Sequence, residues 1–416
     1  MISRTHFIRP AKQLAAVLLV LLLAVASHAK ELPTAAPEDV GLSAEKLQSV
    51  DKTVCELVDD NQVAGAVVVV ARRGKVAYCK SFGKMDIEAD KAMKPDAIFR
   101  IYSMTKPITT VAAMMLFDEG KLKLDDPVDK YLTPFKGLKV HGPDGKLQDQ
   151  QRPMTVRDLM RHTSGLTYGI FGDSPVDKKY RELKVLQRDS SLEEMVERLG
   201  QIPLLYQPGT KFEYSMSTDV LGRVVEVASG MPLDEFFQER IFGPLDMKDT
   251  AFHVPAEKRD RFAANYEPDG NGGLKVKDAP ATSRYLTKPK RFSGGGGLVS
   301  TARDYTRFCQ MLIDGGQLDG NWLLKEETVK MMLKDHMPKG AKSGDGFGLG
   351  FYVNIHRKTG DPPVAIGEYG WGGAASTHFW IVPKDDMIVV ALQQRMPFKR
   401  TLRNKITPLV YEAIVD

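Results

Sequence analysis

Ser103-Met104-Thr105-Lys106 sets a hydroxyl and an amine three residues apart at the head of an apolar run, Val111-Ala112-Ala113-Met114-Met115-Leu116-Phe117. Residues three apart share a face of an α-helix, and a helix apolar on every side is a buried one. The spacing therefore predicts a central helix that carries Lys106 toward the interior. An ammonium is costly there unless it has a partner or a task. Activating a serine nucleophile is such a task. The spacing alone is common, because Ser-x-x-Lys also begins at Ser27, Ser43, Ser49 and Ser81. Ser27 falls at a processing site, Ser43 reads as the N-cap of an amphipathic helix, Ser49 lies inside that helix, and Ser81 lies on a strand. Only Ser103 opens a buried helix. The competing reading at Ser103 is an ordinary helix cap with a solvated lysine.

A second constellation is Phe212-Glu213-Tyr214-Ser215-Met216-Ser217-Thr218-Asp219, which follows the turn Pro208-Gly209-Thr210. Tyr214 lies just before a helix, on a loop able to project a phenol into a cleft. A tyrosine serves as a general base only if its hydroxyl ionises far more readily than usual, and a nearby ammonium such as Lys106 pushes it that way. A core or interface tyrosine is the bland alternative. A third constellation is Gly370-Trp371-Gly372-Gly373-Ala374, ahead of the strand holding Phe379-Trp380-Ile381-Val382. Glycines there let an acyl group approach the backbone, and an N–H on that edge can supply half of an oxyanion hole. The alternative is a glycine turn packed under an indole.

Other chemistries lack their signatures. There is no Gly-x-Ser-x-Gly elbow, no His-Glu-x-x-His and no paired Cys-x-x-Cys, and the histidines are dispersed, so no metal or cofactor is expected. Gly294 to Gly297 is followed by Leu298-Val299-Ser300 rather than a phosphate-loop lysine and reads as a tight turn, with Thr301-Ala302-Arg303-Asp304 starting a helix. His162-Thr163-Ser164-Gly165 puts a histidine beside a serine, but neighbours on a turn seldom form a nucleophile–base pair, so this segment is read as structural.

The elements that must position these groups are legible from periodicity. Leu47, Val50, Val54 and Leu57 recur at helical spacing. A hairpin follows, Ala66–Ala71 and Val76–Phe82 about Arg72-Arg73-Gly74-Lys75. The Ser103 helix stops near Gly120, a C-cap residue. Thr377–Val382 and Met387–Gln393 are strands around Pro383-Lys384-Asp385-Asp386, and the tail from Thr401 reads as a helix interrupted or bent near Pro408. Pro268-Asp269-Gly270-Asn271-Gly272-Gly273 is a surface turn. The implied fold is α+β: an antiparallel sheet built from both ends of the chain and flanked by helices, with an inserted helical lobe. The sheet lobe spans about 30–120 and 291–416, and the helical lobe about 121–290.

The N-terminus reads as a secretory signal, residues 1–29. Arg4, Arg9 and Lys12 precede the apolar stretch Leu14–Ala26, and Ser27-His28-Ala29 offers small residues for cleavage. The stretch is shorter than the ~20 residues of a membrane span, so the mature chain is expected to be exported, periplasmic or secreted, without stable membrane insertion. Three of the net +5 charges lie in the leader, and the nearly neutral remainder argues against a nucleic-acid partner. Cys55, Cys79 and Cys309 are too few for a disulfide scaffold, although a Cys55–Cys79 bridge remains open.

Taken together, the motifs resemble the serine β-lactamase and penicillin-recognising superfamily, on the side of class C-type β-lactamase-like proteins and the family VIII carboxylesterases. The resemblance spans nearly the whole mature chain. It rests on Phe99-Arg100-Ile101-Tyr102 leading into Ser103-Met104-Thr105-Lys106, and on Arg157-Asp158-Leu159-Met160-Arg161-His162-Thr163-Ser164-Gly165. It rests equally on Tyr214-Ser215, Gly295-Gly296-Gly297-Leu298-Val299-Ser300-Thr301 and Trp371-Gly372-Gly373. It implies that Ser103 is the acylated nucleophile, that Lys106 holds the proton network, and that Tyr214 is the base that later returns a proton to the leaving group. The N–H groups of Ser103 and Ala374 would form the oxyanion hole, with Trp371, Gly372, Gly373 and Met216 at the substrate.

Two departures matter. Met216 stands where class C lactamases have the asparagine of Tyr-x-Asn, and Trp371 stands where they commonly have a lysine or histidine. Both changes favour short or medium neutral esters over penicillins. The alternatives are a β-lactamase or D-Ala-type peptidase acting on cell-wall-like amides, and a non-catalytic binding protein on the same fold. Oligomeric state is left open by the sequence. N-terminal sequencing of native protein should place its first residue at or within a few positions of Lys30; material retaining Met1 in the membrane fraction would refute the leader.

Overall fold

The computed structural model describes residues 31–341, 345–356 and 364–416, so the segment expected to be a leader, residues 1–29, lies outside the described residues. One antiparallel sheet of eight strands organises the chain. In chain order its strands are β1 (Gly65–Arg72), β2 (Lys75–Asp86), β3 (Lys91–Ala92), β4 (Gly346–Phe347), β5 (Tyr352–Val353), β6 (Tyr369–Gly372), β7 (His378–Val382) and β8 (Met387–Gln393). Their spatial order is β4-β5-β6-β7-β8-β1-β2-β3. The central pair joins the two ends of the chain, with Val67 opposite Leu392 and Val69 opposite Val390.

Both central strands are buried along their whole length, because helices cover both faces. On one face Val68, Val70, Trp380, Val389 and Ala391 pack with α1 (Ala44–Asp59) and α5 (Thr401–Glu412). On the other, Val67, Val69, Phe379 and Val390 pack with α2 (Thr105–Asp118) and α4 (Ala302–Ile313). Alternate residues of each strand feed the two layers, as a two-residue side-chain period demands. The Ser43 hydroxyl caps α1 by accepting the Lys46 N–H at 3.2 Å. Residues 121–290 contribute α3 (Ser217–Ser229) and several shorter helices. They also contribute two small hairpins, Val140–His141 with Leu147–Gln148 and Asn265–Pro268 with Leu274–Asp278. The second hairpin turns at Pro268–Gly273, as its composition suggests.

Two details differ from the sequence reading, and a third bears on a point it left open. Pro408 does not interrupt the terminal helix, which runs through it from Thr401 to Glu412. An interior proline costs ~3 kcal/mol, but Leu402, Ile406 and Val410 are seated in the core and hold the helix in place. Ser103 lies in a short 3-10 turn, Tyr102–Met104, that leads into α2 rather than in α2 itself. Cys55, Cys79 and Cys309 are all free thiols.

Trp380 is fully buried on β7, opposite Val389, with the Arg403 guanidinium 5.4 Å from its ring. Trp380→Ala should destabilise the protein by about 3–5 kcal/mol in denaturant titrations. Trp322→Ala, at a residue 68% exposed, should stay within ~0.5 kcal/mol. Equal effects at the two sites would contradict the layered core.

Candidate active site

Ser103 reaches its position through a strained turn. Tyr102, just before it, has φ +42°, a left-handed conformation that is costly outside glycine. The Met104 N–H closes the turn on the Ile101 carbonyl at 3.0 Å. One helical turn on, Lys106 is 2% exposed. Its ammonium donates to the Gly295 carbonyl at 2.6 Å, the Tyr168 hydroxyl at 2.9 Å and Ser103 Oγ at 3.2 Å. Every N–H of the ammonium thus has an acceptor. The Tyr214 hydroxyl donates to Ser103 Oγ at 2.7 Å. Tyr214 is therefore brought to Ser103 and Lys106 from more than a hundred positions along the chain.

The link between Lys106 and Tyr214 is less direct than the sequence implied. The ammonium lies 4.7 Å from the centre of the Tyr214 ring, and the phenol it hydrogen-bonds is that of Tyr168. Tyr168 was not singled out in the sequence. It sits three residues beyond Gly165 in an irregular loop, and no periodicity marks it. Burial pushes its hydroxyl well above the usual tyrosine range, with the neighbouring Tyr214 and Asp219 adding to the effect. Tyr168 thus stays protonated. The carbonyl of Gly295 was missed as well, since the glycine run reads only as a turn.

Tyr214 is held by the segment around His162. Glu213 donates its N–H to the His162 carbonyl at 2.8 Å, and Ser215 donates its N–H to His162 Nδ1 at 3.4 Å. These two contacts flank Tyr214, whose ring lies 4.9 Å from the imidazole. His162 itself has φ +56°. Asp158 fixes that turn by accepting from Arg152, from Arg161 at 2.9 Å and from Thr163 Oγ1 at 2.8 Å. Burial alone would raise the Asp158 carboxyl, but the Arg152 and Arg161 hydrogen bonds outweigh it and hold the group down to about 2. These contacts give His162 a part in placing Tyr214. Ser164 pairs with Ser217 Oγ at 2.7 Å and is fully buried.

The opposite wall is β6 and the turn after it. Trp371 pairs with Phe379 and Gly372 with His378 across β6–β7. Gly373 donates its N–H to the Thr377 carbonyl at 2.8 Å. A Cβ on Gly373 would lie 2.2 Å from the Ile101 carbonyl, so only glycine lets this turn close on the Ser103 segment. Ala374 follows and, with Ser103, lines a cavity of about 700 Å³. Trp371, Gly372, Gly373 and Tyr214 share that lining with Phe171, Phe212 and Phe398. The Trp371 ring lies 5.9 Å from that of Tyr214 and 5.4 Å from that of Phe347. His378, also in the wall, is pushed down to about 3 by burial and then by Arg403, and is neutral. Arg403 is held by Glu368 at 2.7 Å.

Met216 is the correction. It is fully buried in the core beneath α3 and does not line the cavity. The chain turns into α3 immediately after Tyr214, so the side chain two positions on points inward. Among the described residues no group of three or more His, Cys, Asp or Glu is placed to hold a metal ion.

The chain matches the family model named Beta-lactamase over residues 50–410. Protein Rv1367c of Mycobacterium tuberculosis is 35% identical over 364 residues, covering 83% of this chain and 89% of that one. Esterase EstB of Burkholderia gladioli is 32% identical over 378 residues, covering 85% and 90%. The solved structure of EstCE1, described as a hydrolase with promiscuous acyltransferase activity, superposes with a TM-score of 0.76 at 29% identity, covering 88% of this chain and 98% of that one. With the family model matching most of its length and relatives above 30% identity over most of both chains, the chain belongs to the Beta-lactamase family.

Proposed function

We propose that this serine hydrolase is an exported carboxylesterase that cleaves short or medium neutral esters through an acyl-enzyme on Ser103. The observation that carries the reading is the position of Ser103 Oγ, 2.7 Å from the Tyr214 hydroxyl and 3.2 Å from Lys106 Nζ, at the wall of the aromatic cavity. In this reading the reactive state holds Tyr214 as the phenolate beside the Lys106 ammonium, and Ser103 Oγ attacks the ester carbonyl carbon as its proton passes to Tyr214. The oxyanion forms against the N–H groups of Ser103 and Ala374. The carbonyl re-forms, the alcohol leaves with a proton returned by Tyr214, and water repeats the sequence on the acyl-enzyme.

Ester preference is supported by the wall itself. Trp371 offers apolar surface where a cation would meet a lactam carboxylate. With Met216 buried, no side chain from that position meets the cavity, so an amide group to orient a lactam side chain is missing there. A donor of that kind contributes about 1–3 kcal/mol, roughly 5- to 150-fold in binding. The similarity to EstB and EstCE1 points the same way. A second reading, turnover of cell-wall-like amides, is favoured by one observation: Arg400 is an exposed cation in the cavity lining. Export rests on the basic and apolar leader, and among the described residues no helix is long and apolar enough to cross a membrane.

Purified protein should hydrolyse p-nitrophenyl butyrate with a higher catalytic efficiency than nitrocefin, and a fluorophosphonate should label Ser103. Ser103→Ala should abolish both turnover and labelling. An adduct on another serine would overturn the nucleophile, and nitrocefin efficiency equal to or above that of the ester would put the amide reading first.

A further inference from the structure

The partners of the Lys106 ammonium named above are all neutral: a carbonyl and two hydroxyls. A carboxylate stands one residue behind the carbonyl. Asp219, in the first turn of α3, is 4% exposed. The positive end of the helix favours a carboxylate at that point. Its Oδ1 accepts the Gly295 N–H at 3.2 Å and the Ser293 hydroxyl. Gly295 therefore has its N–H on the anion and its C=O on the cation, and the residue bridges the two charges.

The loop around Gly295 is held on every side. Thr109 Oγ1, on α2, donates to the Gly294 carbonyl at 2.7 Å. Thr105 Oγ1 accepts the Leu298 N–H at 3.2 Å. The Gly296 and Gly297 N–H groups turn back onto the Ser293 carbonyl at 3.2 and 2.9 Å. A Cβ on Gly295 would lie 2.2 Å from Asp219 Oδ2, so the carboxylate is packed directly against this backbone. Lys106 lies at the N-terminal end of α2, where the helix dipole opposes a positive charge. The Asp219 carboxylate offsets that opposition.

We propose that Asp219 is a positioning residue for acyl transfer: through Gly295 it holds the Lys106 ammonium against Ser103. The proposal rests on the Ser103 acyl-enzyme reading above. Asp219 is not part of the cavity wall, so its effect should fall on the rate of chemistry and leave substrate binding alone. The charged and titratable groups around the pair are Tyr168 and Tyr214, which face Lys106, and Arg291, whose charge acts on Asp219.

The test compares wild-type protein with Asp219→Asn, which keeps an acceptor oxygen but loses the charge, and with Ser293→Ala, which removes one of the groups that hold the carboxylate. Competent sites are counted by fluorophosphonate end-point labelling, and kcat on p-nitrophenyl butyrate is expressed per labelled site. Asp219→Asn should lower kcat per site by about 10- to 100-fold, below the 10²–10⁴ of a direct acid–base group, with KM changed less than about threefold. A limb of its pH–rate profile should move to lower pH by about half to one unit, because an opposite charge has been taken from the ammonium. A residue that serves folding alone would reduce the number of labelled sites and leave both readouts unmoved. Ser293→Ala should lose about three- to tenfold in kcat per site, and it decides the matter if Asp219→Asn does not fold. Wild-type kcat per site with an unmoved pH profile in Asp219→Asn, or wild-type kcat per site in Ser293→Ala where that variant decides, overturns the proposal. If wild-type protein takes up no label on Ser103, the acyl-enzyme reading fails first and the proposal fails with it.

Discussion

An almost fully buried lysine charge is the constraint that the rest of the site satisfies. Removing an unpaired ammonium from water costs several kcal/mol, and Lys106 is 2% exposed. The fold meets that cost with acceptors from three separate segments: Ser103 before α2, Tyr168 in the loop after Gly165, and the Gly295 carbonyl in the glycine run. None of these segments could move far without leaving a donor unsatisfied. The lysine therefore organises the cleft. It ties the start of the buried helix to loops on both sides.

The sheet supplies the other half of the geometry. β6 and β7 bring Trp371, Gly372 and Gly373 to Ser103, and the turn at Gly373 closes on the Ile101 carbonyl at a distance no side chain allows. Two rigid supports converge on Ser103: a helix held by a core of apolar residues, and a strand edge held by the register of the central sheet. Tyr214 comes from a third. Asp158 fixes the turn at His162, and His162 grips the residues on either side of Tyr214. Each support is a packed or hydrogen-bonded element, which is what a site needs if its distances are to hold within a few tenths of an ångström.

Much of this was legible in the sequence, and the misses share a cause. Ser103 and Lys106 stood out because helical spacing converts a separation of three into a shared face, and the apolar run after them made that face an interior one. The strands around Arg73-Gly74 and Pro383–Asp386 were marked by alternation and turn residues. Tyr214 stood out as a phenol placed just before a helix. Tyr168 and the Gly295 carbonyl were not legible, because an irregular loop has no period and a main-chain carbonyl has no residue identity. Met216 was misplaced for a related reason: its distance from Tyr214 along the chain says nothing of the side on which α3 begins. At Pro408 the local rule that a proline interrupts a helix gives way to core packing, and the helix continues through it. Local chemistry was visible, while contacts made by the backbone between distant segments were not.

The central claim is that Lys106 and Tyr214 act on Ser103 as one unit, and a double-mutant cycle tests it most directly. Lys106→Ala, Tyr214→Phe and the double variant would be compared with wild type by kcat/KM on an activated ester. Members of a unit are grossly non-additive. The account predicts that the double variant loses little more than the worse of the two single variants, far less than the product of their losses. Losses that multiply would mean that the two residues act independently, and would contradict the account.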